Sequence, residues 1–264
     1  MNKIIQKIAD KLGQLEEVEC VMLAGSQTDG TADDESDYDL YVYTNKELSV
    51  EKRKEVLDEF LIYCEYNNTF WETEDDGILK DTTETVELIY RNFDFIESEY
   101  NRLFTAFAAY TGYSTCIWSN IAKSHVLFDR NGKGSEYISR FKSQKYPVEL
   151  KNNIILKNIP LLIGTIPSYY GQIEKAIIRN DLVSVNHRVA AFLASYFDIL
   201  LAINELPHPG EKKLLKFVGK NCSIVPENWK KDVKNILKYA ADPGDQLLKS
   251  LYKSFKKLNK LVKK

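Results

Sequence analysis

The segment CVMLAGSQTDGTADDESDYDLYVYT, residues 20–44, is the most informative part of the chain. It contains two apolar runs, at 20–25 and 37–44, and each has the length and composition of a buried strand. The polar residues between the runs include glycines and clustered acids, which is typical of a loop. The segment therefore predicts two strands joined by a polar loop, with Gly25 and Ser26 where the first strand ends.

Further elements are predicted on both sides of this segment. Apolar residues at helical spacing predict a helix at 1–16 and another at 50–64. The heptapeptide TVELIYR at 85–91 alternates apolar and polar residues as a strand does, and a helix is expected at 93–110. This mixture of helices and strands predicts a domain built on a small mixed β-sheet.

The second half of the chain has a different pattern. From Pro147 onward the apolar residues recur almost only at helical spacing, which predicts a C-terminal α-helical bundle. We therefore expect an α+β protein with a sheet-containing domain at 1–146 and a helical domain at 147–264.

Asp37 and Asp39 form the strongest chemical signal. Because side chains alternate along a strand, these two carboxylates project to the same side. Like charges at close range repel each other unless a cation lies between them, so the pair indicates either a metal site or a shared proton. Magnesium prefers oxygen ligands and readily accepts substrate phosphates among them.

Gly25 and Ser26 provide a second signal eleven residues earlier. A glycine has no side chain to block an approaching anion, and the amides and the hydroxyl that follow it can donate hydrogen bonds to phosphate. A phosphate-binding turn next to a pair of aspartates predicts a site for a metal-bound nucleoside triphosphate.

The complete pattern resembles the nucleotidyltransferase superfamily, which includes the antibiotic nucleotidyltransferases and the minimal nucleotidyltransferase domains. The matching residues are Gly25-Ser26, Gly30, Ser36-Asp37, Asp39 and, on the next strand, Glu87. The resemblance implies a nucleotidyltransferase domain followed by a helical domain that binds substrate.

The resemblance also implies roles for individual residues. Asp37, Asp39 and Glu87 are expected to be catalytic and to hold two Mg²⁺ ions. For Glu87, metal ligation and proton abstraction from the acceptor hydroxyl both remain open. The expected co-substrate is ATP or another nucleoside triphosphate.

Four residues are assigned to nucleotide binding: Gly25, Ser26, Ser36 and Lys212. Lys212 is included because it lies at the start of a predicted helix after Pro207 and Pro209, in a rigid position from which a lysine can reach phosphate.

Composition limits the classes of protein. The chain has 44% hydrophobic and 28% charged residues, as expected of a globular protein, and no apolar run long enough to predict a membrane span. Its four cysteines are far apart and match no metal-ligand spacing, so reduced thiols and a cytoplasmic location are expected.

The acceptor is less well specified by the sequence. A hydroxyl of a small molecule is favoured and, by family analogy, an aminoglycoside or lincosamide in antibiotic resistance. RNA or protein is the alternative: residues 205–264 hold 15 lysines and 6 acids, but lack the interleaved aromatics of single-strand binding. A non-catalytic, antitoxin-like relative is disfavoured by the chain length. Monomer and homodimer both stay open.

Overall fold

The computed structural model describes residues 2–30, 32–33, 36–69, 72–80 and 82–263, with only the backbone described for Asp29. The chain divides into two compact units. The first comprises Met1–Tyr100 and Trp118–Gln144, and the second comprises Asn101–Ile117 and Lys145–Lys264.

The first unit is built on a six-stranded sheet. Its strands are β1 (Val18–Ala24), β2 (Tyr38–Thr44), β3 (Leu61–Asn68), β4 (Glu74–Leu79), β5 (Thr85–Arg91) and β6 (His125–Asp129). The spatial order is β3-β4-β5-β2-β1-β6. β2 and β5 run parallel, and the other neighbouring pairs are antiparallel. The expected mixed sheet is confirmed.

Helices before residue 145 are α1 (Lys3–Leu12), α2 (Ser26–Asp29), α3 (Val50–Leu57), α4 (Phe93–Phe104), α5 (Cys116–Lys123) and α6 (Lys133–Ser143). One face of the sheet forms a core with α1 and α3. Leu40 of β2 and Leu88 of β5 are fully buried there, against Ile5 and Ile8 of α1. Since alternate residues of β2 and β5 point into this core, the residues between them face the other side of the sheet.

Helices of the second half are α7 (Val148–Leu162), α8 (Tyr169–Ile178), α9 (Leu182–Ile203), α10 (Leu214–Asn221), α11 (Trp229–Ala240) and α12 (Asp245–Val262). α9 is central to their core, in which Phe192 and Tyr196 are buried. The α+β fold with a helical C-terminal part is therefore confirmed. None of the helices in the described ranges combines the length and apolarity that a membrane crossing requires.

The division of the chain differs in one respect from the predicted domains 1–146 and 147–264. The second unit begins close to that boundary, at Lys145, but it also includes residues 101–117. Two buried side chains hold this earlier segment. Asn158 accepts a hydrogen bond from Gly112 (3.0 Å), and Asp198 accepts one from the amide of Ser114 (3.0 Å). These contacts join residues far apart in sequence, so no local pattern reveals them.

Three predicted helices are too long. The helix predicted at 1–16 ends at Leu12. The helix predicted at 50–64 ends at Leu57, and a strand begins at Leu61. Leu61 pairs with Leu79 of β4, so burial in the sheet overrides the helical spacing of the sequence. The helix predicted at 93–110 ends at Phe104, before the segment that contacts α7 and α9.

Candidate metal and nucleotide site

Three acidic side chains converge on the sheet face that lies opposite the α1 and α3 core. Asp39 of β2 and Glu87 of β5 are direct partners in the parallel pairing. Asp37 directly precedes β2 and lies two residues before Asp39, so its side chain points to the same side of the sheet. One carboxylate oxygen from each of the three residues lies within 4.8 Å of the others. The structure therefore brings together the three predicted metal ligands, all of them half-buried.

This convergence changes the ionisation of Glu87. Burial, followed by the charges of Asp37 and Asp39, raises the pKa of Glu87 from its usual value to about 7. Because a cation between the carboxylates would offset their repulsion, the free site is electrostatically prepared for a positive ion. Oxygen-only ligands of this kind suit Mg²⁺.

Gly25 is required by the close approach of Asp39. Its φ of +63° lies in the left-handed region, and a Cβ atom built on it would be 1.7 Å from Oδ2 of Asp39. The approach follows from the sheet, since Ala24 of β1 pairs with Asp39 of β2. Any side chain at this position would displace the carboxylate.

Ser26 begins the short helix α2 and has an unused hydroxyl. Its Oγ is buried and has no hydrogen-bond partner among the described residues. The turn around it is held in place by Thr28, whose Oγ1 donates to the carbonyl of Gly25 (2.9 Å), and by Gln27, whose side chain donates to the carbonyl of Asp37 (3.3 Å). A buried hydroxyl without a partner fits a ligand that supplies an acceptor, as a phosphate does.

The other two residues assigned to nucleotide binding have different surroundings. The hydroxyl of Ser36 donates a hydrogen bond to Oδ1 of Asp33 (2.9 Å) and accepts one from the backbone amide of Asp33 (2.9 Å). These two bonds stabilise the loop. Lys212 is exposed in the second unit, just before α10. Contact of Ser36 and Lys212 with the nucleotide stays a prediction.

The arrangement also includes an acid that the sequence analysis missed. Asp76 of β4 pairs directly with Glu87, and its charge contributes to the raised pKa of Glu87. Asn68 of β3 donates a hydrogen bond to Oδ2 of Asp76 (2.7 Å). The sequence pattern does not reveal Asp76, because β4 is not predicted. The only signal is the segment EDDGIL at 74–79, in which three acids precede an apolar pair typical of a strand.

Arg91, at the far end of β5, serves a structural purpose. Its Nε donates to Oε2 of Glu72 (2.7 Å), and its guanidinium lies 4.5 Å from the ring centre of Tyr41. The side chain therefore neutralises a neighbouring carboxylate and packs on an aromatic ring.

Comparison with known proteins finds a family that matches the first part of the chain. The family described as "Polymerase beta, Nucleotidyltransferase" matches residues 6–101, a range that includes the three carboxylates. No curated protein sequence matches the chain. A nucleotidyltransferase-like protein from Exiguobacterium sibiricum 255-15 has a similar solved structure, with 12% sequence identity and a TM-score of 0.44, covering 99% of this chain and 74% of that chain. Residues 6–101 are therefore similar to a nucleotidyltransferase domain, and this match supports nucleotidyl transfer as the chemistry of the site.

Proposed function

We propose that this nucleotidyltransferase is magnesium-dependent and transfers a nucleoside monophosphate, AMP from ATP, to a hydroxyl of a small molecule. The observation that carries the proposal is the convergence of Asp37, Asp39 and Glu87 beside the turn at Gly25 and Ser26. In the proposed reaction the acceptor oxygen bonds to the α-phosphorus. The bond from this phosphorus to the bridging oxygen breaks, and pyrophosphate leaves.

The three carboxylates would hold the metal. Two divalent ions bound there supply positive charge that activates the attacking oxygen and stabilises the leaving pyrophosphate. Asp39 is fixed for this role by its pairing with Glu87 on one side and its contact with Gly25 on the other. A carboxylate held by two neighbouring strands loses little conformational freedom when it binds an ion.

The turn would hold the triphosphate. The absence of a side chain at Gly25 leaves room beside Asp39, and the buried hydroxyl of Ser26 can donate to a phosphate oxygen. Glu87 is placed to accept the proton of the acceptor hydroxyl or to ligate a metal.

The charges around the site support a cationic small-molecule acceptor, as an aminoglycoside would be. Asp39, Glu87, Asp76 and Glu65 are consecutive partners across β2, β5, β4 and β3. This row of acids attracts cations and repels a polyphosphate backbone, which argues against RNA.

Pyrophosphate release from Mg-ATP, measured with aminoglycosides, lincosamides and RNA as separate acceptors, tests the proposal. We expect release with a cationic small molecule, loss of release on chelation of Mg²⁺, and at least a 100-fold decrease in the double variant Asp37→Asn, Asp39→Asn. The control is Glu55→Gln, which removes one exposed acid of α3. Undiminished Mg-ATP binding by the double variant would contradict the proposed site.

A further inference from the structure

The helical unit contains a groove lined entirely by its own residues. It has a volume of about 760 Å³ and is lined by residues of α9, α10 and α11 together with Tyr113. A volume of this size is within the range of roughly 300–1,000 Å³ found for small-molecule sites.

The groove is apolar along most of its length. Val233, Leu237 and Ala240 of α11 lie on one face of that helix, opposite Val189 and Leu193 of α9. Leu237 is 51% exposed, so the chain leaves part of this apolar surface in contact with water. From Lys230 to Ala240 the α11 wall is about 15 Å long, at roughly 1.5 Å per helical residue. The groove therefore suits an extended apolar body of about that length.

The charged residues of the lining are mostly basic. Lys213, Lys216 and Lys230 line the groove, each within one turn of the start of α10 or α11, and Glu211 is the acid in the lining. Helix starts carry partial positive charge, so lysines there add to an existing positive potential. Among the described residues, no side chain caps the N-terminus of α10 or of α11 by a hydrogen bond. The charged part of the lining therefore favours an anion.

We infer that the groove binds an amphiphilic anion, in which an alkyl or aryl body lies between α9 and α11 and a carboxylate or phosphate meets the lysines. The shape and the charge support the same ligand independently. The apolar walls exclude a fully polar anion such as free phosphate, and the three lysines select against a neutral or cationic amphiphile.

Calorimetric titration of the full chain tests the inference, with decanoate, decyl phosphate, decyl maltoside and decylammonium as probes. We expect both anions to bind with one site per chain, and the tighter of the two to identify the head group. Decyl maltoside should bind at least tenfold more weakly, and decylammonium should not bind. Because the titrations contain no magnesium and no nucleotide, their outcome is independent of the proposed transfer reaction.

Two variants locate the site. The double variant Lys216→Glu, Lys230→Glu should weaken decanoate binding roughly tenfold, whereas Lys231→Glu, on an exposed neighbour outside the groove, should leave it within about twofold. Ala190→Trp fills the groove from an exposed position of α9 and should weaken binding at least tenfold without disturbing the core.

Several results would overturn the inference. Equal affinity for decanoate and decyl maltoside would exclude recognition of charge, and unchanged binding by Ala190→Trp would place the ligand elsewhere. A dimer in light scattering that Ala190→Trp converts to a monomer would assign the groove to a second copy of the chain.

Discussion

Replacement of Glu87 by glutamine should stabilise the metal-free protein at neutral and higher pH. Burial, followed by the charges of Asp37 and Asp39, raises the pKa of Glu87 from 4.5 to about 7, so the folded state resists ionisation of this group. An acid whose folded-state pKa is raised reduces stability as pH increases from the unfolded-state value to the folded-state value, here from 4.5 to about 7. Above pH 7 the full loss of stability is present, and below pH 4.5 there is no loss.

The size of the effect follows from the shift. At about 1.4 kcal/mol per pKa unit, the full shift corresponds to about 3 kcal/mol. Water reaches the half-buried site and screens the charges, so we expect Glu87→Gln to stabilise the free protein by roughly 1–2 kcal/mol at pH 8. For a protein of this size that is an increase of about 2–6 °C in Tm.

Thermal unfolding at pH 4.5 and pH 8, with and without Mg²⁺, measures this effect. Glu87→Gln should resemble the parent protein at pH 4.5, exceed it at pH 8 without metal, and gain less from Mg²⁺. Glu55→Gln, an exposed acid of α3, controls for net charge. If Glu87→Gln lowers Tm equally at both pH values, charge repulsion in the site does not limit stability and the electrostatic argument fails.

Three further predictions concern single positions. Gly25→Ala should reduce kcat/KM about 100-fold in the pyrophosphate assay by displacing a carboxylate. Gly30→Ala, also at positive φ but with no atom of the described residues within 4 Å of the added Cβ, should cost only about 1 kcal/mol of stability and leave activity nearly intact. Asp198→Ala should cost roughly 2–4 kcal/mol in urea unfolding, because it leaves buried hydrogen-bond donors without an acceptor; a loss under 0.5 kcal/mol would contradict this. Asp75→Asn should cost about 3–5 kcal/mol in the same assay by leaving the buried charge of Arg53 without its counter-ion, and the double variant Arg53→Met, Asp75→Leu should recover part of that loss.

Local physics explains which parts of the site were predictable. Strand alternation places Asp37 and Asp39 on one side wherever the strand lies, and the missing side chain of Gly25 permits close approach in any fold. These features depend only on neighbouring residues. Asp76 was not predictable in the same way, because its position beside Glu87 requires the β4–β5 pairing.

The same distinction applies to the whole chain. The sequence by itself predicted a nucleotidyltransferase domain in the first half, the α+β class and the helical second half, because motif spacing and hydrophobic periodicity are local properties. Only the tertiary structure decided that β3 begins at Leu61, that residues 101–117 belong with the second unit, and that Asp39 and Glu87 are neighbours. Each of these depends on hydrogen bonds and burial between segments distant in sequence, whose free energy exceeds local conformational preference.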